Sequence, residues 1–209
     1  MQSIASYLLA AIDTVAGTFG SPEIGLLILG LLAGLISAPF SYTGRRALEP
    51  VQSLAPQIQS LRARHGDDRR SLQRALLELY QQHAINPWAP LLGLIPAAIE
   101  VLLVVLLYLV VGTANALPAP AYLGWLTDLS SRDPLFILAG AMGLLLIIQA
   151  KADIRSNPPR QNRVKLFLQV AIPAAKFMIA MALPSGVIIA WLSYSAVATM
   201  TQRLATIPA

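Results

Sequence analysis

The sequence predicts an all-α, polytopic membrane domain with five transmembrane helices, a cytoplasmic helical hairpin and an N-terminal interfacial helix. Three observations carry this expectation. Of 209 residues, 56% are hydrophobic and 12% charged, whereas a soluble domain usually carries about 25% charged residues. The apolar residues gather in runs near the roughly 20 that a ~30 Å hydrocarbon core requires of a helix. The runs are continuous and rich in Leu and Ala, without the alternation of a barrel strand, and helices satisfy their own backbone hydrogen bonds in lipid.

Taken in chain order, residues 3–19 are apolar but shorter than a span, carry Asp13 and have no basic residue before them. This is read as an interfacial helix and not a secretory signal, which opens on positive charge. The predicted spans are 25–43, 89–112, 135–150, 164–183 and 186–202, the last two joined through Leu183-Pro184-Ser185-Gly186. Together with the polar segment 44–87 they form one membrane domain spanning 1–209.

Charge orients the spans, because loops on the cytoplasmic side collect Lys and Arg. No basic residue precedes Arg45. Segment 44–87 holds Arg45, Arg46, Arg62, Arg64, Arg69, Arg70 and Arg74, and loop 151–165 holds Lys151, Arg155, Arg160, Arg163 and Lys165. With Arg203, thirteen of the fifteen basic residues fall on one side, against Arg132 alone in loop 113–134. The N-terminus is therefore expected outside and the C-terminus in the cytoplasm. The same distribution argues against specific nucleic-acid recognition as the reason for the net charge of +5.

Within 44–87, Leu48, Val51, Ala55 and Ile58 recur at helical spacing, as do Leu72, Leu76, Leu79 and His83 after a break at His65-Gly66-Asp67-Asp68. A helix–turn–helix follows, with arms of only about two heptads each. It is either a solvated connector or a docking arm. Gly30, Gly34 and Ala38 form a small-residue ridge that permits close helix contact in lipid. Trp88, Tyr108, Tyr122, Trp125 and Tyr194 are placed near span ends or in the outer loop, where aromatic rings favour the interface. Cysteine is absent, and neither His65 nor His83 has a neighbouring cluster that would complete a metal site, so no metal is assigned.

These elements, in this order, resemble the YidC family of membrane protein insertases over almost the whole chain. Ala38-Pro39-Phe40 resembles the proline ending that family's first core span, and Val51-Gln52 with Pro56 resembles the stretch opening its hairpin. His83 to Asn86-Pro87, Trp125 to Asp128, Asp133-Pro134, and Pro173 with Pro184-Ser185-Gly186 and Trp191 follow in family order. The resemblance is to the short five-span form. It implies a bacterial inner-membrane protein that is not an enzyme, uses no cofactor, and passes nascent hydrophobic segments through an intramembrane groove into the lipid bilayer. Gln52, Pro56, Arg62, Arg69 and Arg70 would belong to the hairpin that receives them. Ribosome or translocon contact is left open; attachment through a basic C-terminal tail is not expected from Arg203 to Ala209. The alternative is a YidC-like structural subunit of a dedicated membrane complex, with the Gly30–Gly34–Ala38 ridge against a partner.

One departure is specific. The family's groove arginine aligns with Gly34, so the cation is missing from the first span. Charges stand instead at Glu100 in the second span and Lys176 in the fourth. Counted from Asn86-Pro87 and Lys165, both lie roughly 17–18 Å deep at 1.5 Å per residue, a matched depth that permits a salt bridge. The third span, with about 16 apolar residues, is short enough to thin the local bilayer.

Overall fold

A computed structural model of the chain describes residues 6–7, 10, 14, 17–18, 20–66, 68–83, 94–112, 124–156 and 163–205. Among them run seven helices: α1 (Pro22–Ser53), α2 (Ala55–His65), α3 (Arg69–Gln82), α4 (Ile95–Val111), α5 (Ile137–Ser156), α6 (Arg163–Ala182) and α7 (Ser185–Ala205). Two helical stretches, Pro22–Gly44 and Ile137–Ile154, are long and apolar enough to cross a membrane; Ile95–Val111, Leu166–Ala182 and Ser185–Thr201 are apolar but shorter. The interfacial helix expected at 3–19 falls mostly outside the described residues, as do the start of the second predicted span and Trp88 and Tyr122.

α1 opens at Pro22, whose missing N–H costs nothing in the first turn, with Glu23 beside it at the positive end of the helix dipole. The helix does not end at Pro39. It continues to Ser53, although proline removes one ladder hydrogen bond. Side-chain hydroxyls bond to carbonyls along this stretch: Ser37 Oγ donates to the Gly34 carbonyl at 2.9 Å and Thr43 Oγ1 to that of Pro39 at 2.8 Å. Serine and threonine are among the groups that allow proline inside apolar helices. The hairpin is correspondingly shorter than 44–87, and Leu48 and Val51 lie on α1.

The chain breaks at buried Leu54, just before Pro56 in the first turn of α2. α2 and α3 meet through Leu54 and Leu79, flanked by Ile58, Leu61 and Tyr80. Gly66 turns the chain with φ +52°, a conformation that glycine adopts without a Cβ penalty. Asp68 then caps α3, accepting from the backbone N–H of Arg70 and Ser71 at 3.1 and 3.2 Å. The Ser71 amide is the main reason the Asp68 carboxyl is held below its ordinary pKa.

α7 is the centre of the bundle. Val187, Ile188, Ile189, Ala190, Trp191 and Tyr194 are buried against Leu26 of α1, Leu107, Val110 and Val111 of α4, and Met142 and Leu146 of α5. α6 joins this core through Ala180 and the partly buried Phe177 near its C-terminal end and otherwise packs along α5. At one end of the bundle, the segment before α5 clasps the α6–α7 turn. Ser185 donates through both its N–H (2.8 Å) and Oγ (2.6 Å) to the Ser131 carbonyl, and the Gly186 N–H donates to that of Leu129 at 2.9 Å. Asp133, itself buried, accepts from the N–H groups of Leu135 and Leu138 and so caps α5. α5 also extends past residue 150 to Ser156. At 1.5 Å per residue, its 18-residue apolar stretch is about 27 Å long, which weakens the bilayer-thinning expectation.

Candidate functional site

Glu100 is the one charged residue of α4. An isolated carboxylate among apolar side chains is strongly disfavoured unless it is paired and hydrogen-bonded. Here it is both. Lys176 Nζ on α6 lies 2.6 Å from Oε1 and 2.7 Å from Oε2, and the Trp191 Nε1–H on α7 donates to Oε1 at 2.8 Å. The Glu100 side chain is 14% exposed and that of Lys176 30%. Three helices thus converge on one carboxylate, through charge-assisted bonds of the short kind.

The polar face of α7 continues toward its C-terminus from this point. One turn on, the Tyr194 hydroxyl donates to the Pro96 carbonyl of α4 at 2.7 Å. Gln149 of α5 then donates to the Ser195 carbonyl at 3.1 Å and to Thr199 Oγ1 at 2.8 Å. Tyr194 is therefore a buried cross-brace and not an interfacial anchor, the role its place near a span end had suggested. Trp191, noted in the sequence only for its spacing, is the third member of the charged cluster. A signal for both was present: an indole and a phenol three residues apart share one face of an apolar helix, and buried rings of these types need a polar partner.

The glycine ridge faces the same central helix. A Cβ at Gly30 would collide with the Ala190 carbonyl and the Ser193 hydroxyl, and one at Gly34 would lie 2.8 Å from Val197 Cβ. The ridge therefore packs inside this chain and not on an outside partner. The position at which the resemblance expects a cation has no room for a long side chain while α7 stays in place. Ala38 is half-buried.

The hairpin residues are not brought to this cluster. Pro56, Arg62, Arg69 and Arg70 are exposed on α2 and α3, and Gln52 is near the end of α1. His65 and His83 each bond through Nδ1 to the carbonyl one turn back, those of Leu61 and Leu79.

The sequence profile of the 60Kd inner membrane protein family matches residues 14–207. The chain belongs to that family. It is 30% identical over 186 residues to the membrane protein insertase YidC of Alkalilimnicola ehrlichii, covering 89% of this chain and 31% of that protein. It is 31% identical over 196 residues to the YidC of Coxiella burnetii (94% and 33%) and 29% identical over 202 residues to that of Legionella pneumophila (97% and 34%). The chain thus spans about a third of the length of these relatives. Three of the motifs that carried the resemblance to this family fall at joints of the fold. Pro56 opens α2, Asp133 caps α5 and Pro184-Ser185-Gly186 turns α6 into α7.

Proposed function

We propose that this chain is a divergent membrane protein insertase or chaperone of the bacterial inner membrane. It has five spans (α1, the α4 region, α5, α6 and α7), with the N-terminus outside and the C-terminus in the cytoplasm. Nascent hydrophobic segments pass along a groove between α4, α6 and α7, lined near its middle by Glu100 and Lys176, while the basic α2–α3 hairpin meets them on the cytoplasmic side. Transfer of such a segment from water into lipid is favourable by about 25 cal/mol per Å² of apolar surface, so no chemical energy source is needed for that step.

The observation that supports this reading best is the Glu100–Lys176–Trp191 cluster itself. It places charge among mainly apolar helices, on a helix, α6, that meets the core near its C-terminal end and is otherwise largely exposed. Charged groups in such positions are costly and mark function by default. The exposed basic side chains of the hairpin and the homology to YidC agree with it.

A second reading has one observation of its own. Val197 fills the space beside Gly34, as expected of a fold retained as a scaffold with its groove closed. Photo-crosslinking from Val101 on α4 and Ile172 on α6, both outward-facing, separates the two. Crosslinks to many different nascent membrane proteins support the insertase; crosslinks to one fixed protein support the scaffold. Single cysteines at Gly66 and Thr127 test the orientation, and labelling of Gly66 from outside overturns it.

A further inference from the structure

We infer that the Glu100–Lys176 pair is a latch across the seam between α4 and α6, and that Trp191 decides which half of it moves. This rests on the insertase reading and adds regulation to it.

The two helices do not pack along each other. α4 is held by α1 and α7, and α6 by α5. Both turn apolar side chains outward: Val101, Leu102 and Val105 on α4, Ile172 and Ile179 on α6. The hydrogen bonds described between α4 and α6 are those of Lys176 to the two carboxylate oxygens. A client segment entering there must part this pair.

The two partners are not equally held. Glu100 keeps a second bond to the indole of Trp191, which is buried in the core on α7. Lys176 is the more exposed, and its described hydrogen bonds go only to Glu100. α6 also carries Pro173 within its length, one turn before Lys176, where the lost ladder bond lets a helix bend. Beside Lys176, Phe177 sits on Gly143 of α5, with its ring carbons 3.0 Å from where a Cβ would stand. Opening is therefore a departure of Lys176 with α6, pivoting at the Phe177–Gly143 contact, while Glu100 stays with Trp191. A pair that both closes the site and moves on one side is a two-state element that client binding can bias.

The chain has no cysteine, so the test is direct in full-length protein in native membranes. Glu100→Cys/Lys176→Cys is prepared with the photo-crosslinker at Ile172, with and without linkage by a short bismaleimide. Linked, capture should fall by about fivefold or more relative to the same double variant left unlinked, the lower end of a usual two-state coupling. Equal capture by linked and unlinked forms overturns the latch and leaves the insertase reading standing. Failure of the linker to join the two positions also overturns it. If wild-type protein itself captures no clients, the functional reading fails, and the latch with it. For Trp191 as the positioning residue, Trp88 and Trp125 are replaced by Phe, leaving one indole whose emission reports its bond to Glu100. Glu100→Gln should shift that emission, and Lys176→Met should shift it by less than half as much. Equal shifts would show that Glu100 leaves with the lysine and overturn this role for Trp191.

Discussion

α6 and α7 are joined by a tight turn, are 20 and 21 residues long, and are both largely apolar, yet one is the centre of the molecule and the other its edge. On α7, Val187, Ala190, Trp191 and Tyr194 are almost wholly buried; on α6, Phe167 is 68% and Met178 65% exposed. The difference is not one of hydrophobicity. α7 alternates large side chains with Gly186, Ala190, Ser193 and Ser195, so that the backbones of its neighbours can approach, and its hydroxyls and rings find partners on α4 and α5. α6 presents bulky apolar side chains, with Lys176 the one charge in its apolar stretch. Where lipid is as apolar as leucine, close fit and hydrogen bonding separate inside from outside, and hydrophobicity alone does not.

The comparison is broken most severely by filling the α1–α7 contact. Gly30→Leu should strike the Ala190 backbone, which cannot swing aside, and destabilise by about 3 kcal/mol, the upper part of the overpacking range. Thermal unfolding in detergent checks this. Gly34→Arg, which would restore a cation to the first helix, should also fail to fold well, because Val197 occupies its space.

Next come the charges that tie edge to centre. Glu100→Gln and Lys176→Met should each cost about 3 kcal/mol, the low end for a broken buried pair, since Lys176 keeps partial exposure. The double variant should cost less than the two single effects together, and strict additivity in a double-mutant cycle would contradict the pairing. Tyr194→Phe removes one neutral hydrogen bond, that to the Pro96 carbonyl, and should cost about 1 kcal/mol. Phe167→Ala on the exposed face of α6 should change stability by less than about 0.5 kcal/mol, which sharpens the contrast because the deleted side chain is larger.

The smallest effect lies outside the bundle. Asp68 is held below its ordinary pKa chiefly by the Ser71 amide, so its contribution to the order of α3 is present above the usual carboxylate range. It is lost as pH falls through the depressed value. Amide exchange at Arg70 and Ser71 should accelerate at acid pH in wild type, and at all pH values in Asp68→Ala, while α7 amides stay protected.

Much of this fold was legible in the residues, and the failures have physical causes. The apolar runs located the long helices, and His65-Gly66-Asp67-Asp68 located a turn, because run length and glycine conformation are local properties. The end of the first helix was placed too early, at residue 43, because the polar stretch that follows looked like the start of the hairpin, whereas α1 runs on to Ser53. The matched depth of Glu100 and Lys176 was legible from counting along two parallel helices. Which way each faced was not, and neither was the part of Trp191, because periodicity does not say which helix stands at the centre. The same gap explains Tyr194, whose position near a span end looked like an interface until α7 proved to be surrounded.

The clasp at the α6–α7 turn bears on the order in which the molecule is made. The amides of Ser185 and Gly186, at the start of the central helix, bond to carbonyls of Ser131 and Leu129 that leave the ribosome more than fifty residues earlier. Until α7 emerges, α1, α4 and α5 have been synthesised around a centre that does not yet exist, and the glycines of α1 face nothing. The helices made first must wait side by side for the one that joins them, so the fold is completed by insertion of its own axis and not by growth outward from a core.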